Sequence, residues 1–552
     1  MDSSAPIRSR ALDEGDFQIP LWSIPLILVV LYVCLFSRLG ALGLVGPDEP
    51  RYAAIARAMA ETHDWVTPRL WGTPWFEKPV LYYWAAGIAM RIFGVSEFAA
   101  RLPSALAALL AVLSVAWTAL RTYGVRAAWF SLLMLPTSVA MIGFARAASP
   151  DMLFAGLLTA SMAVAIEILQ TPRPGPLLRV AFGFFLGAAV LAKGPAAVIL
   201  AGGATLAWTA LSRQWTAPFR FLHPLIIAVF TAVALPWYVL CALRNRDFLR
   251  IFIWQHNFQR YLTPIFEHRQ PFWFFGPVFL LGILPWLPLL VTAFFDAARN
   301  RNFETRMDSP AVFMTCWSLF TLLFFSLSQS KLPGYILPAI PPAVLLLASS
   351  LSRQMERNTK GIRLAMVCAG FVFPLLTGIA LAGIKKMSLG AGPAPIRGVQ
   401  VAFALAVIGW VVIAAYAFAC KWNHAGCAVA CTMLTLIFIA NRMVLPGLDA
   451  LLSARPAAER LLKNYPLASN EIAVYHLPRA FGYELNYYFG KELPEWASGN
   501  STATVIIYKT DAKPQIDELD QFNGIRSQAG FNLVPATPDG KISVEFRPKV
   551  GK

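Results

Sequence analysis

The sequence predicts an all-α polytopic membrane protein with a small α/β domain at its C-terminal end. Of its 552 residues, 57% are hydrophobic and 14% are charged, whereas soluble domains average about 45–50% apolar and about 25% charged residues. This composition excludes a soluble globular protein. The formal net charge of +17 is typical of basic cytoplasmic loops that face anionic membrane lipids. We therefore expect membrane lipids as partners and no nucleic acid.

Apolar runs long enough to cross a bilayer, about 20 residues each, recur through the first 445 residues. Thirteen of them lie near residues 21–41, 99–120, 127–144, 152–170, 177–192, 195–211, 223–243, 272–295, 311–329, 333–350, 364–384, 399–419 and 427–445. A further stretch at 80–93 contains Arg91 and is short, so we expect an interfacial helix there. With that stretch left out, the most basic loops share one side, which the positive-inside rule makes cytoplasmic.

The end of the chain has a different pattern. A polar, helix-like stretch at 454–464 precedes strand-like runs at 472–476, 504–508 and 542–546. We therefore predict two domains, a transmembrane domain at 1–445 and an outward-facing α/β domain at 446–552. The seven cysteines lie in or beside apolar runs without the clustering of a zinc site, so we interpret them as packing residues.

The first outward loop, 42–98, carries two groups of charged residues. Asp48 and Glu49 are followed by Arg51 and Tyr52 at the predicted start of a helix, where an acid can also be an ordinary N-cap. Glu77 and Lys78 precede an aromatic stretch that includes Tyr82, where a lysine can simply snorkel beside an aromatic belt. Together the two groups favour a functional site at the depth of the lipid headgroups.

Other outward turns contribute the remaining candidates. Basic residues on this face run against the positive-inside tendency, and guanidinium groups match phosphate oxygens, so we expect an anion site. These candidates are Arg146, Asp151, Lys193, Arg260, His268, Arg269, Lys331 and Tyr335. No cofactor is certain; Glu77 with His256 could hold a divalent metal ion, although a lone loop histidine is more often hydrogen-bonded than ligating.

These segments, in this order, resemble the membrane glycosyltransferases that use polyprenyl-phosphate sugars, which include protein O-mannosyltransferases and bacterial lipid A aminoarabinose transferases. The likeness is closest to the latter group. It rests on Pro47-Asp48-Glu49-Pro50-Arg51-Tyr52, Phe76-Glu77-Lys78-Pro79, the segment from Arg146 to Asp151, Lys193-Gly194-Pro195, Glu267-His268-Arg269 and Ser330-Lys331-Leu332-Pro333-Gly334-Tyr335. The resemblance implies a GT-C fold in the bacterial inner membrane with an active site facing the periplasm.

The resemblance also implies roles for the candidate residues. Asp48 would be the principal catalytic residue and Lys78 a ligand of the donor phosphate, and we add Asp151 to the catalytic candidates. We expect substrate contacts from the others, namely Glu49, Arg51, Tyr52, Glu77, Tyr82, Arg146, Lys193, Arg260, His268, Arg269, Lys331 and Tyr335.

The reaction expected from this resemblance is transfer of 4-amino-4-deoxy-L-arabinose from undecaprenyl phosphate to a lipid A phosphate, a modification that gives resistance to cationic peptides such as polymyxin. Two alternatives stay open. One is a transferase of the same superfamily that glycosylates protein or O-antigen. The other is a lipid or sugar transporter, which would need ionisable residues near the middle of its spans; here the middles are nearly free of charge.

Overall fold

A computed structural model describes residues 19–263, 269–299, 309–355, 359–386, 393–464, 472–496, 505–512, 515, 532–535, 537 and 540–546. This part of the chain holds nine helices that are long and apolar enough to cross a membrane. They are Glu97–Tyr123, Pro150–Gln170, Pro176–Lys193, Pro224–Arg244, Pro310–Leu327, Pro333–Gln354, Lys360–Ile384, Pro393–Phe418 and Trp422–Leu452. The predicted polytopic helical fold is confirmed.

Four further apolar elements complete the set. Two bent helix pairs, Val125–Met134 with Val139–Ala145 and Phe272–Gly282 with Leu287–Phe295, raise the number of spans in the described residues to eleven if each pair crosses once. Ser23–Phe36 and Ala196–Ser212 are shorter apolar helices. Each of the thirteen apolar runs found in the sequence lies on one of these elements.

Burial separates central helices from helices at the lipid boundary. The apolar window of Pro333–Gln354 is 94% buried inside the protein and that of Pro150–Gln170 is 78% buried, whereas Pro224–Arg244 and Pro393–Phe418 are 22% buried. A helix that is apolar all round belongs in a core or in lipid. The first two therefore form the centre of the bundle, and the last two present apolar side chains to the membrane.

The first outward loop folds into two helices that do not span. Asp48–Thr62 and Leu81–Phe93 pack on one another and flank a short hairpin of Arg69–Leu70 and Thr73–Pro74. The second helix covers the stretch for which we predicted an interfacial helix. The loop after the span Pro224–Arg244 contains the π-helical segment Arg250–Gln259, continued by Arg260–Leu262.

The C-terminal segment forms a small α/β unit. Helices Arg455–Asn464 and Arg479–Phe489 accompany a four-stranded sheet with the order Ile472–Tyr475, Val505–Lys509, Ile542–Phe546, Asn532–Pro535. The first two strands are parallel and the other neighbours are antiparallel. A parallel pair needs a crossover, which the second helix supplies. The sequence did not indicate that helix or the strand at 532–535.

The boundary that we predicted after residue 445 falls inside a continuous helical run. Pro446 comes just after the π-helical turn Ala440–Val444, where the regular i→i−4 hydrogen bonding that a proline would interrupt is already altered. The last span therefore extends outward to Leu452 and leads directly into the C-terminal unit.

Candidate active site

Asp48 presents an open carboxylate at the start of the first outward helix. Its Oδ1 accepts a hydrogen bond of 2.5 Å from Nη2 of Arg51, one turn further on. The Asp48 side chain is 48% exposed, whereas that of Arg51 is 5% exposed. Among the described residues no hydrogen bond reaches the second oxygen of Asp48. Its carboxylate thus does not cap the helix, and one oxygen is available to a ligand.

The carboxylate of Glu77 pairs with three cations close to Asp48. Its Oε2 lies 3.0 Å from Nη2 of Arg51, and its Oε1 lies 3.3 Å from Nη1 of Arg260 and 3.8 Å from Nζ of Lys78. The residue before a proline is disfavoured in the helical conformation, so Pro79 keeps Lys78 in the loop ahead of the helix that begins at Leu81. We call these residues, together with Asp48, the Glu77 cluster.

Burial and charge set the protonation of this cluster. Burial alone would raise the pKa of Glu77, but Lys78, Arg51 and Arg260 lower it to about 2. Burial and the neighbouring Arg260 lower the pKa of Lys78 to about 8, although Glu77 counteracts them. Glu77 is therefore ionised and Lys78 is largely protonated at neutral pH. Three cations around one buried carboxylate leave an excess of positive charge that suits an anionic ligand.

A second ion pair lies beside the cluster. Nζ of Lys193 lies 2.6 Å from Oδ1 of Asp151 and 4.5 Å from the centroid of the Tyr335 ring, a cation–π distance. Ser149, not Asp151, caps the Pro150–Gln170 helix, so the carboxylate of Asp151 is free to pair with the lysine. A Cβ at Gly334 would lie 2.5 Å from Oδ2 of Asp151, so only glycine permits this approach.

Three of the predicted site residues make structural contacts instead of lining an open surface. Glu49 accepts bonds from the guanidinium of Arg101 and from the backbone N–H groups of Val45 and Ala148. The buried Tyr82 hydroxyl donates to the carbonyl of Ala100 at 2.8 Å. Arg146 donates to Asn441 at 2.7 Å, between helices. These contacts suit a structural role, in which the three side chains stabilise the segments around the site.

The other predicted residues differ in position. The ring of Tyr52 lies under the Arg51 guanidinium at 5.3 Å, beside the Glu77 cluster. Lys331 is buried and donates to the carbonyl of Ser328, three residues before it. Arg269 is exposed, and His268 lies outside the described residues.

The predicted metal site has a poor donor set. His256 faces Glu77, but burial and the adjacent Lys78, Arg260 and Arg51 lower its pKa to about 4. A divalent cation at Glu77 would have to displace or face three positive side chains. In the part of the chain that the structure describes, no three His, Cys, Asp or Glu side chains form a group that could hold a metal ion. The two residues do not fit a metal centre, and no reaction step is assigned to one.

Sequence reasoning missed two residues near the site. Arg101 carries a buried guanidinium that binds Glu49 and the carbonyl of Gly43. It is a basic residue at the outward end of a span, and the same feature made Lys193 a candidate, so Arg101 could have been found in the same way. Tyr483 of the C-terminal unit has its ring 6.0 Å from the Arg51 guanidinium. No pattern in the sequence links that tyrosine to the first loop.

The buried pair of Glu49 and Arg101 gives a stability prediction. Glu49→Gln leaves the Arg101 guanidinium, 5% exposed, without its charge partner, and breaking a buried pair costs about 3–5 kcal/mol. We expect a clear fall in the midpoint of thermal unfolding of the purified protein in detergent. Glu61→Gln removes an exposed partner of Arg57 and should shift the midpoint very little. Equal midpoints for the two variants would contradict this interpretation.

Three comparisons with known proteins agree with this architecture. The family of dolichyl-phosphate-mannose-protein mannosyltransferases matches residues 21–252. The solved structure of ArnT from Cupriavidus metallidurans bound to undecaprenyl phosphate superimposes with a TM-score of 0.76 over 96% of this chain and 98% of that chain, at 22% identity. The fold is therefore shared with that protein and is of the GT-C type that the resemblance implied.

Curated relatives identify the family. An undecaprenyl phosphate-alpha-4-amino-4-deoxy-L-arabinose arabinosyl transferase from Edwardsiella ictaluri is 33% identical over 402 residues, which cover 72% of this chain and 70% of that protein. A second transferase of the same name, from Pseudomonas fluorescens, is 28% identical over 547 residues, covering 93% of this chain and 98% of the relative. The chain therefore belongs to the family of undecaprenyl phosphate-alpha-4-amino-4-deoxy-L-arabinose arabinosyl transferases, which are membrane glycosyltransferases.

Proposed function

We propose that this enzyme moves 4-amino-4-deoxy-L-arabinose from undecaprenyl phosphate to a phosphate group of lipid A, at the periplasmic face of the bacterial inner membrane. The observation that carries the proposal is the open carboxylate of Asp48, which pairs with Arg51, a member of a buried group of cations around Glu77. An acid beside cations at the end of a helical bundle suits chemistry between a sugar and a lipid phosphate.

The donor phosphate is assigned to Lys78 and Arg260. Both side chains are at most 13% exposed, so an anion that reaches them meets charges that water screens weakly. Arg51 is already engaged with Asp48 and Glu77, and Lys193 with Asp151. Lys78 and Arg260 both pair with one oxygen, Oε1 of Glu77, at 3.8 Å and 3.3 Å, so a phosphate that binds beside this oxygen can contact both cations.

The reaction is a substitution at the anomeric carbon of the sugar. A phosphate oxygen of lipid A forms the new bond to that carbon while the bond to the undecaprenyl phosphate oxygen breaks, and its electron pair leaves with the lipid phosphate. Negative charge therefore grows on the departing phosphate. Fixed cations that meet growing charge are usually the largest contribution to catalysis of this kind, and we assign that role to Lys78 and Arg260.

Asp48 is assigned to stabilise the positive charge that develops on the sugar. The anomeric carbon gains positive character in the transition state, and the exposed oxygen of Asp48 can stabilise it. The acceptor phosphate is already an anion near neutral pH and needs no general base.

The distribution of charge disfavours the transporter alternative. Transporters hold ionisable groups near the bilayer midplane. Here Asp151 and Lys193 lie at helix ends, and Asp48 and Glu77 lie outside the spans. The arrangement instead supports a reaction at one surface.

The lowered pKa of Lys78 gives a pH prediction. The ammonium form is present below its pKa of about 8 and is lost above it, so kcat/KM should fall as the pH rises through about 8. A profile of kcat/KM from pH 6 to 10 checks this. Lys78→Arg stays charged throughout this pH range, so its profile should not show the basic limb, which is the fall in kcat/KM above about pH 8. A basic limb shared by the wild type and Lys78→Arg would rule out Lys78 as its origin.

Reconstitution tests the proposed function directly. The purified protein in nanodiscs would be supplied with defined undecaprenyl-phosphate sugars and with lipid A, a peptide or an O-antigen glycolipid as acceptor, and the products weighed by mass spectrometry. We expect aminoarabinose on lipid A and none on the other acceptors. Transfer to peptide or O-antigen glycolipid alone would favour the other superfamily activity, and no transfer from any donor would contradict the proposal.

A further inference from the structure

The segment of residues 43–46, just ahead of Asp48, is held by side chains. Four consecutive backbone N–H groups each donate to one: Gly43 to Asp449 at 2.8 Å, Leu44 to the Tyr488 hydroxyl at 3.0 Å, Val45 to Glu49 at 2.9 Å and Gly46 to Glu484 at 3.0 Å. Every buried backbone N–H needs a partner, but a loop at a protein surface can use water. Here side chains fix the backbone of the whole segment.

Three of those four acceptors lie after residue 445. Glu484 uses both carboxyl oxygens, since its Oε2 accepts the backbone N–H of Ala454 at 2.6 Å. Tyr488 accepts from the loop and donates its own hydroxyl proton to Glu97 at 2.9 Å. The C-terminal unit is thereby bonded to the 43–46 segment, to the span Glu97–Tyr123 and to the start of its own first helix.

Two glycines permit this close approach. A Cβ at Gly43 would lie 2.3 Å from Oγ of Ser453 and 2.8 Å from the Tyr488 hydroxyl oxygen. Gly46 has φ of +72°, a left-handed conformation in which other residues are strained. The two glycines of this segment therefore allow its close packing against the C-terminal unit.

The same C-terminal helix, Arg479–Phe489, also packs on the helix that bears Asp48. Nη1 of Arg57 donates to the backbone carbonyl of Tyr487 at 3.3 Å, and the Tyr483 ring faces the guanidinium of Arg51, which holds Asp48. The C-terminal unit is therefore linked to Asp48 in two ways. It binds the backbone of the 43–46 segment that precedes Asp48, and it contacts Arg51, which pairs with Asp48.

We propose that the C-terminal domain positions the catalytic acid, and that Glu484 is the positioning residue that does so through the backbone of Gly46. The proposal rests on the proposed function, in which Asp48 acts at the sugar. Within the described residues, the hydrogen bonds of Glu484 are with the backbone of Gly46 and Ala454 and not with the Glu77 cluster. Because a misplacement of about 1 Å can cost about 10²-fold in rate, loosening the 43–46 segment lowers kcat without removing the phosphate ligands Lys78 and Arg260.

The test compares Glu484→Ala and Glu484→Gln in the full-length protein in nanodiscs. We expect kcat to fall about tenfold to a hundredfold in Glu484→Ala, with KM for the donor within about threefold of the wild type. Glu484→Gln keeps one acceptor oxygen and should lie in between. Hydrogen exchange measured by mass spectrometry should be faster at residues 43–46 in the same order. Glu545→Gln is the matched control, because Glu545 is a buried acid of the same domain beside Tyr508.

The outcomes separate this proposal from the proposed function. Unchanged kcat or unchanged exchange at 43–46 in Glu484→Ala would overturn the positioning role, as would an equal loss in Glu545→Gln. If Glu484→Ala does not fold, Tyr488→Phe removes only the hydroxyl that accepts from Leu44 and should give the same two signatures, and their absence overturns the proposal. If Asp48→Asn is fully active, the proposed function fails whatever the exchange data show.

Discussion

Asp48→Asn is expected to lower kcat by about 10³-fold while the protein stays folded and binds undecaprenyl phosphate as before. Asparagine keeps an oxygen that can accept the bond from Arg51, so the substitution removes the negative charge and little else. Loss of one preorganised electrostatic contact in an active site typically costs about 10²–10³-fold. Turnover of donor and lipid A, together with binding of undecaprenyl phosphate, measures both parts of the prediction.

Glu61→Gln is the matched control for this prediction. Glu61 lies on the same helix, pairs with Arg57 and is 53% exposed, and it lies at the end of the helix away from Asp48. Its loss should leave kcat unchanged. A variant Asp48→Asn that turns over at more than about a tenth of the wild-type rate would mean that its charge is not part of the chemistry.

Lys78→Met has the second large effect, and it affects binding as well as turnover. In the proposed function the ammonium contacts the donor phosphate in the ground state and stabilises it further when charge grows on the leaving group. We expect kcat/KM to fall about 10²–10³-fold, with weaker binding of undecaprenyl phosphate. Methionine has a similar shape, so packing against the neighbouring residues is largely kept.

Lys78→Arg separates charge from geometry. Arginine restores the positive charge with a different shape, so phosphate binding should recover more fully than turnover. If Lys78→Met binds undecaprenyl phosphate as tightly as the wild type, the donor phosphate does not lie at this lysine.

The membrane architecture could be predicted from the sequence because apolar length is a strong local signal. Each predicted apolar run lies on a helix, and the short stretch with Arg91 became the non-spanning Leu81–Phe93 helix. In the C-terminal unit, strand 532–535 and helix Arg479–Phe489 were missed, since short strands and amphipathic helices in a polar segment give weak patterns. The predicted domain boundary after residue 445 falls within a helical run that continues to Leu452.

The site could be predicted only in part. The sequence brought Asp48 and Lys78 into one outward loop, but it did not indicate that Glu77 joins them to Arg260, which lies 183 positions away from Glu77. Glu49 was expected to contact substrate, whereas its bonds with Arg101 indicate a structural role. The bond from the backbone N–H of Gly46 to Glu484 spans 438 positions, and such a backbone contact leaves no residue pattern to detect.

The most direct measurement is a structure of this protein in nanodiscs with undecaprenyl phosphate bound. The phosphate should lie within hydrogen-bond distance, about 3 Å, of Nζ of Lys78 and of the Arg260 guanidinium, with the open oxygen of Asp48 facing the place of the sugar. A phosphate bound instead at the opposite ends of the spans, beside Arg126 and Lys421, would contradict the assignment of the active site.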